Sequence, residues 1–321
     1  MARMHVLVTG AAGYFARLII PALLADGRIT RIVGTDRVPP PKGGYADNPR
    51  YHHVVMDLIQ ARAADWEGLL HGVDLVYHLA FQIAPKPGED TKPTNVGGQE
   101  ALLTTALAAP RRVIVASAIA AYGFAPGRDA VNGMIDEAMP FTPRTGVDYA
   151  DHKQVLEALL DRLEPGSPAT VVRARPVNVV GPGMPLERAP LLSAPAIFVP
   201  ITDHPIRQQM LYEEDLTRAM LHLIDVPAGA YNIGPDDWLT LDEAAKLLGR
   251  KLVRMPSWAL RGLADMAWRT GQNAFDASWL TFFERPPIIV TSAKLKATGW
   301  APRFGSREAL MLLAGKARAG L

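Results

Sequence analysis

A short apolar run, His5–Val8, leads into Thr9-Gly10-Ala11-Ala12-Gly13-Tyr14-Phe15-Ala16, and a helical pattern with apolar residues at 18, 19, 20, 23 and 24 follows at once. Few folds admit a strand, a glycine-rich turn and a helix in that order. Gly10 permits the tight turn, and Gly13 lets the backbone approach a pyrophosphate seated on the helix N-terminus. Ala16 is small enough for close helix–strand packing. Gly10, Ala12, Gly13, Tyr14 and Phe15 are therefore expected to face a dinucleotide, an expectation much strengthened by the strand–turn–helix context.

The first half of the chain continues the alternation. Strands are expected at Ile29–Thr35, Val54–Met56, Leu75–Leu79, Val113–Ala116 and Thr170–Ala174, and helices at Ala61–Leu70, Val96–Ala108 and Tyr149–Leu163. Such a sequence predicts an α/β fold, a doubly wound parallel sheet of Rossmann type with right-handed crossovers. Residues 1–180 are read as the dinucleotide-binding domain. Beyond 180 prolines and aromatics cluster, and residues 181–205 and 233–321 are read as a smaller mixed substrate lobe, with 206–232 returning to the main sheet. Thr240-Leu-Asp-Glu243 is a capping box that opens a helix.

Composition narrows the function classes. The chain has 321 residues and no cysteine, which excludes disulfides, thiolate catalysis and Cys-ligated metals and fits a cytoplasmic location. A net charge of +2 argues against nucleic acid as a partner. The apolar core of the N-terminus is too short for an export segment, and no internal stretch is apolar enough to span a membrane. The histidines show no metal-ligand spacing, so no catalytic metal is expected.

Asp36 ends the second expected strand. A carboxylate there accepts hydrogen bonds from the adenosine ribose hydroxyls and repels a 2′-phosphate, which favours NAD over NADP, although Arg37 beside it suits that phosphate. Asp57 and Leu58 after the third strand are expected to bracket the adenine. Leu79 and Ala80, which follow His78 after the fourth, are expected to run past the pyrophosphate. Tyr149 and Lys153 are one helical turn apart on one face. A tyrosine working as a base near neutrality needs its pKa lowered by roughly 3 units, about 4 kcal/mol, and a neighbouring ammonium supplies part of that.

With these residues in view, the chain resembles the extended short-chain dehydrogenase/reductase family, the NAD-dependent epimerase/dehydratase group, along nearly its whole length. The resemblance is carried by Thr9–Ala16, Asp36, Asp57-Leu58, His78-Leu79-Ala80, Asn95 and Ser117 through Gly123. It continues in Tyr149/Lys153, Arg175-Pro-Val-Asn-Val-Val-Gly-Pro182, Asp215 and Gly299-Trp300. It implies NAD as cofactor, Tyr149 as general acid/base, Lys153 as its modulator and a hold on the nicotinamide ribose, and Pro176 and Val177 against the nicotinamide. Ala118, Tyr122, Asn178 and Gln208 are the substrate-side positions.

Two departures stand out. Ala118 occupies the place where these enzymes carry a Ser or Thr whose hydroxyl orients the substrate oxygen, and Ser117, one residue earlier, is the candidate replacement. Gln208 occupies the place of the arginine with which sugar-nucleotide members grip the diphosphate. The resemblance also implies a homodimer through the helices near 96–108 and 149–163, which look more leucine-rich than one buried face needs. The aromatic residues Trp258, Trp268, Phe275, Trp279, Phe282 and Phe283 are read chiefly as core of the small lobe. The whole points to an NAD-dependent oxidoreductase or epimerase acting on a secondary alcohol or ketone of a small, sugar-like or otherwise hydroxylated molecule. The alternative, raised by Ala118, is a dinucleotide-binding sensor or pseudoenzyme.

Overall fold

Seven strands lie parallel in one sheet. In the computed structural model, which describes residues 3–124, 134–184 and 196–319, they are β1 (Met4–Thr9), β2 (Ile29–Asp36), β3 (Tyr51–Val55), β4 (Leu75–His78), β5 (Arg112–Ala116), β6 (Thr170–Pro176) and, late in the chain, β11 (Gly229–Ile233). Their spatial order is β11-β6-β5-β4-β1-β2-β3. The order reverses at β1, with β2 on one side and β4 on the other. At such a switch point the loops leaving adjacent strands diverge, and the carboxyl end of the sheet opens into a crevice.

Helices cover both faces, as expected of parallel strands buried on two sides. On one face α1 (Tyr14–Ala25) buries Ala16, Ile19, Ile20, Leu23 and Leu24 against the sheet and against α5 (Glu213–His222). On the other face α2 (Ala63–Leu70), α3 (Gln99–Leu107) and α4 (Asp148–Leu163) share a core with Leu7, Val76, Val113, Val115 and Val171 of the strands.

That second core corrects the reasoning behind the expected dimer. Leu102, Leu103, Ala106 and Leu107 of α3 and Leu156, Leu159 and Leu160 of α4 are buried within their own chain, and Leu163 is partly buried there. Glu100 and Thr104 of α3 and Asp148, Val155, Ala158, Asp161 and Arg162 of α4 are exposed. The Arg162 guanidinium meets Glu100 at 2.6 Å.

β3 begins three residues earlier than the pattern of apolar residues suggested. It is an edge strand, its pairing with β2 starts at Ile32–Tyr51, and the polar His52 and His53 within it break the apolar signal. Of the segment 206–232 expected to return to the main sheet, only its end does so, as β11 paired in parallel with β6, while residues 207–208 and 210–212 pair in small separate sheets.

The remaining elements build the smaller lobe. β7 (Asn178–Val180) pairs with β10 (Met210–Tyr212), β8 (Ala196–Pro200) with β13 (Lys251–Met255), and β9 (Arg207–Gln208) with β12 (Leu239–Thr240). Around them lie α6 (Leu241–Leu248), α7 (Ser257–Arg269), α8 (Thr281–Glu284), α9 (Ala293–Lys296) and α10 (Ser306–Ala319). The capping box forms: Glu243 N–H donates to Thr240 Oγ1 at 3.2 Å, and Thr240 N–H donates to Glu243 Oε2 at 2.8 Å. Residues 185–195 of the expected substrate lobe fall outside the described residues. No helix among the described residues is long and apolar enough to cross a membrane.

Candidate active site

One cavity of about 1430 Å³ runs along the carboxyl end of the sheet and on into the small lobe. Its floor at the switch point is the glycine-rich loop. Gly10 has φ +70°, and a Cβ there would lie 2.7 Å from the backbone of Ala80, so only glycine fits the turn. Gly13 N–H donates to Gly10 O at 2.9 Å, and the Tyr45 hydroxyl donates to Ala11 O at 2.6 Å from behind. Gly13 caps α1 without a side-chain partner, and no acidic residue sits in the first turn. The loop thus delivers a close-approach backbone and uncapped helix amides to one wall of the cavity, a fit for a pyrophosphate. Phe15 lines this wall. Tyr14 lines it too, but its hydroxyl is occupied: it donates to Glu213 Oε2 at 3.0 Å, and the same oxygen accepts from Gly183 N–H at 2.9 Å.

Asp36 lies at the end of β2 on the cavity wall. One carboxylate oxygen accepts from Ala12 N–H at 3.1 Å, which ties the carboxylate to the glycine-rich loop. Arg37, exposed, lines the same end with Asp57 and Leu58. Leu79 and Ala80 line the cavity beside the glycine-rich loop. Beneath them Thr9 Oγ1 lies 2.7 Å from His78 Nδ1, and His78 Nε2 meets Gln99 Oε1. Gln99 is oriented by its own amide, which donates to Thr94 O at 3.1 Å, so Nε2 carries the proton and Nδ1 accepts from the Thr9 hydroxyl. Burial holds His78 neutral, its pKa pushed down to about 4. Asn95 clamps the next turn of chain through paired 2.8 Å bonds with the backbone of Gln82.

α4 brings Tyr149 and Lys153 to the cavity at the ends of β5 and β6. The Tyr149 ring stacks on Trp279 (5.4 Å between centroids, 23° between planes) and meets Phe81 edge-on at 5.7 Å. Among the described residues its hydroxyl has no hydrogen-bond partner. Burial alone therefore governs it and pushes its pKa upward. Lys153 Nζ lies 6.0 Å from the Tyr149 ring centre, donates to Ala116 O at 2.6 Å, and sits 3.5 Å over the Phe81 ring. Burial lowers Lys153 to about 7, and Glu157, one turn further along α4, works against that fall.

Ser117 does not bring its hydroxyl to Tyr149. Ser117, just past the end of β5, lines the cavity, but its hydroxyl donates to Glu157 Oε1 of α4 at 2.6 Å. Ala118 does face Tyr149, in a small apolar cluster with Ala120, Val147 and Ala150. Tyr122 is likewise corrected as a substrate-side residue. It is fully buried in the core, donates to Asn232 Oδ1 at 2.9 Å and accepts from Arg175 Nη1 at 2.9 Å. Pro176, Val177, Asn178 and Gln208 all line the cavity, and Asn178 Nδ2 donates to Gln208 Oε1 at 2.8 Å.

Sequence reasoning missed three groups. Glu157 is fully buried and accepts from Arg175 Nε at 2.7 Å, Arg175 Nη2 at 2.9 Å and Arg173 Nη1 at 3.0 Å. The signal was present in two arginines on the same face of an otherwise apolar strand and a glutamate one turn after Lys153. Phe81, over the lysine, carried no signal. The aromatic run 275–283 was visible but read as core. Phe275, Trp279, Phe282 and Phe283 line the cavity instead, while Trp258 is 79% exposed and Trp268 Nε1 donates to Pro85 O at 3.4 Å.

Comparison with known proteins gives a consistent picture. The model of the NAD dependent epimerase/dehydratase family matches residues 6–234. An uncharacterised protein of Mycobacterium tuberculosis is 28% identical over 316 residues, covering 95% of this chain and 81% of that protein. Cinnamoyl-CoA reductase 1 of Arabidopsis thaliana is 30% identical over 192 residues, 55% of this chain and 53% of the reductase. The crystal structure of Thermus thermophilus UDP-glucose 4-epimerase in complex with NAD superposes with a TM-score of 0.73 at 21% identity, covering 99% of this chain and all of the epimerase chain.

Proposed function

This chain belongs to the NAD-dependent epimerase/dehydratase family, and from that premise we propose that it is an NAD-dependent oxidoreductase or epimerase acting at a secondary alcohol or ketone of a small molecule. The observation that carries the reading is the phenol of Tyr149 and the ammonium of Lys153 on one face of α4, beside the same cavity that the glycine-rich loop floors.

The residues that would hold NAD are the uncapped amides of α1 with Gly10, Ala12, Gly13 and Phe15 at the pyrophosphate, and Asp36 at the adenosine ribose. Asp57 and Leu58 would flank the adenine, and Pro176 and Val177 the nicotinamide. Asp36 favours NAD over NADP because a second negative charge at the ribose would face its carboxylate. When bound, NAD supplies the redox chemistry, taking up or returning the hydrogen of the carbinol carbon with its electron pair. Tyr149 handles the proton at the substrate oxygen. It keeps that proton in the protein by itself, since burial opposes a phenolate, and so stands ready to give it to a carbonyl oxygen. In the reverse direction the phenolate takes the hydroxyl proton, and a cation nearby is what makes that accessible. Lys153 is the protein's own cation there, held by Ala116 O and kept charged in part by Glu157.

A second reading, a dinucleotide-binding sensor without turnover, draws on Ala118 at the hydroxyl position and on Ser117 being bound to Glu157. One experiment separates the two. NADH absorbance is followed with a panel of secondary alcohols, ketones, sugar acids and sugar nucleotides, and NAD binding is measured by calorimetry. The enzyme reading expects turnover that falls on the order of 10²-fold or more in Tyr149→Phe with NAD affinity retained. NAD binding with no turnover across the panel favours the sensor, and failure to bind NAD defeats both.

The family premise also supports a homodimer through the outer faces of α3 and α4, where Val155 is 44% exposed on α4.

A further inference from the structure

Beyond Tyr149 the cavity continues into the small lobe, and there its walls change character. Trp279 is stacked on Tyr149, Phe275 lies 4.2 Å from Trp279 and Phe282 lies 5.4 Å from it, centroid to centroid. Leu260 and Leu263 of α7 line the same space. Ala118 adds an apolar contact beside the phenol where a hydroxyl was expected.

Two ionic groups stand on the described wall of this half, one of each sign. The Arg207 guanidinium lies 5.6 Å from the centre of the Trp238 ring, and the Asp276 carboxylate accepts from Ser278 N–H at 2.6 Å as the cap of the 277–280 turn. Gln208, where a diphosphate-gripping arginine was sought, spends its oxygen on Asn178. A diphosphate brought here would lose water and meet a single guanidinium with the Asp276 carboxylate on the same wall, whereas a flat apolar ring would find aromatic faces and edges.

From this we infer that the half of the cavity beyond Tyr149 takes an uncharged aromatic ring, so that the substrate is an aryl-bearing secondary alcohol or ketone rather than a nucleotide sugar. The inference rests on the proposed role of Tyr149 only for where the reacting oxygen lies. The ring site itself is argued from its walls, so it is tested by binding.

Calorimetric titration of the full chain with 2-acetonaphthone and, separately, with UDP-glucose reads it directly. The expected result is binding of the ketone at least about tenfold tighter than UDP-glucose, weakened about tenfold in Trp279→Ala. Leu263→Glu guards against loss of fold in the first variant. Leu263 is 41% exposed on a helix surface, and a carboxylate there is expected to weaken the ketone to a similar degree. UDP-glucose binding as tightly as the ketone, neither ligand binding, or unchanged ketone affinity in both variants overturns the inference. Turnover and NAD binding are not read in this titration, so a failure of the proposed activity would appear in the NADH assay and not here.

Discussion

At the residue scale, burial lowers the pKa of two titratable groups beneath and beside the cavity, His78 and Lys153, and both leave a signature in stability against pH. His78 has an ordinary pKa of 6.5 and is pushed down to about 4 in the fold. Between those values the unfolded chain binds more protons than the native one, so stability is intact above pH 6.5 and declines as pH falls to about 4. The full loss amounts to about 3 kcal/mol. Lys153, lowered from 10.5 to about 7, gives a slope of the same sign in a different window, with stability rising from about pH 7 towards 10.5. His78→Gln is expected to flatten the acid window and leave the alkaline one, which urea unfolding at a series of pH values measures. An unchanged acid slope in the variant would mean that carboxylates, not this imidazole, set it.

At the element scale, α4 and β6 are joined by charge across a core that is otherwise apolar. Glu157 faces Arg173 and Arg175, takes the Ser117 hydroxyl, and sits one turn from Lys153. Removing one partner of a buried ionic group is expected to be costly because the remaining charges stay buried. Glu157→Gln should therefore destabilise the protein by about 3–5 kcal/mol in equilibrium urea unfolding. A loss below about 1 kcal/mol would show the network to be dispensable. Much of this element was legible beforehand: the helix, the tyrosine–lysine spacing and β6 all appear as periodic patterns in one stretch of chain. The destination of Ser117 was not, because a one-residue difference at a strand end decides which side of the sheet a hydroxyl meets. That depends on Glu157, 40 residues later.

At the scale of the whole molecule, the leucines of α3 and α4 are consumed in the intrachain core, and the face left for a partner holds Val155 with small and charged neighbours. Sedimentation over a range of concentrations is expected to show a dimer that Val155→Glu shifts to monomer. A wild-type mass of one chain at all concentrations would refute the assembly. From the sequence alone came the β-α-β order, the glycine at position 10, the carboxylate at 36 and the pairing of Tyr149 with Lys153. Each is a short-range pattern: a turn, a strand end or one helical turn dictates it whatever the distant chain does. Tertiary structure alone decided what surrounds that tyrosine. Trp279 lies 130 residues away in the chain, and the packing of the small lobe against the sheet sets it face to face with the phenol. The same packing made a run of aromatics the wall of a cavity instead of a core, since an apolar residue suits either place and only the neighbours it meets distinguish them.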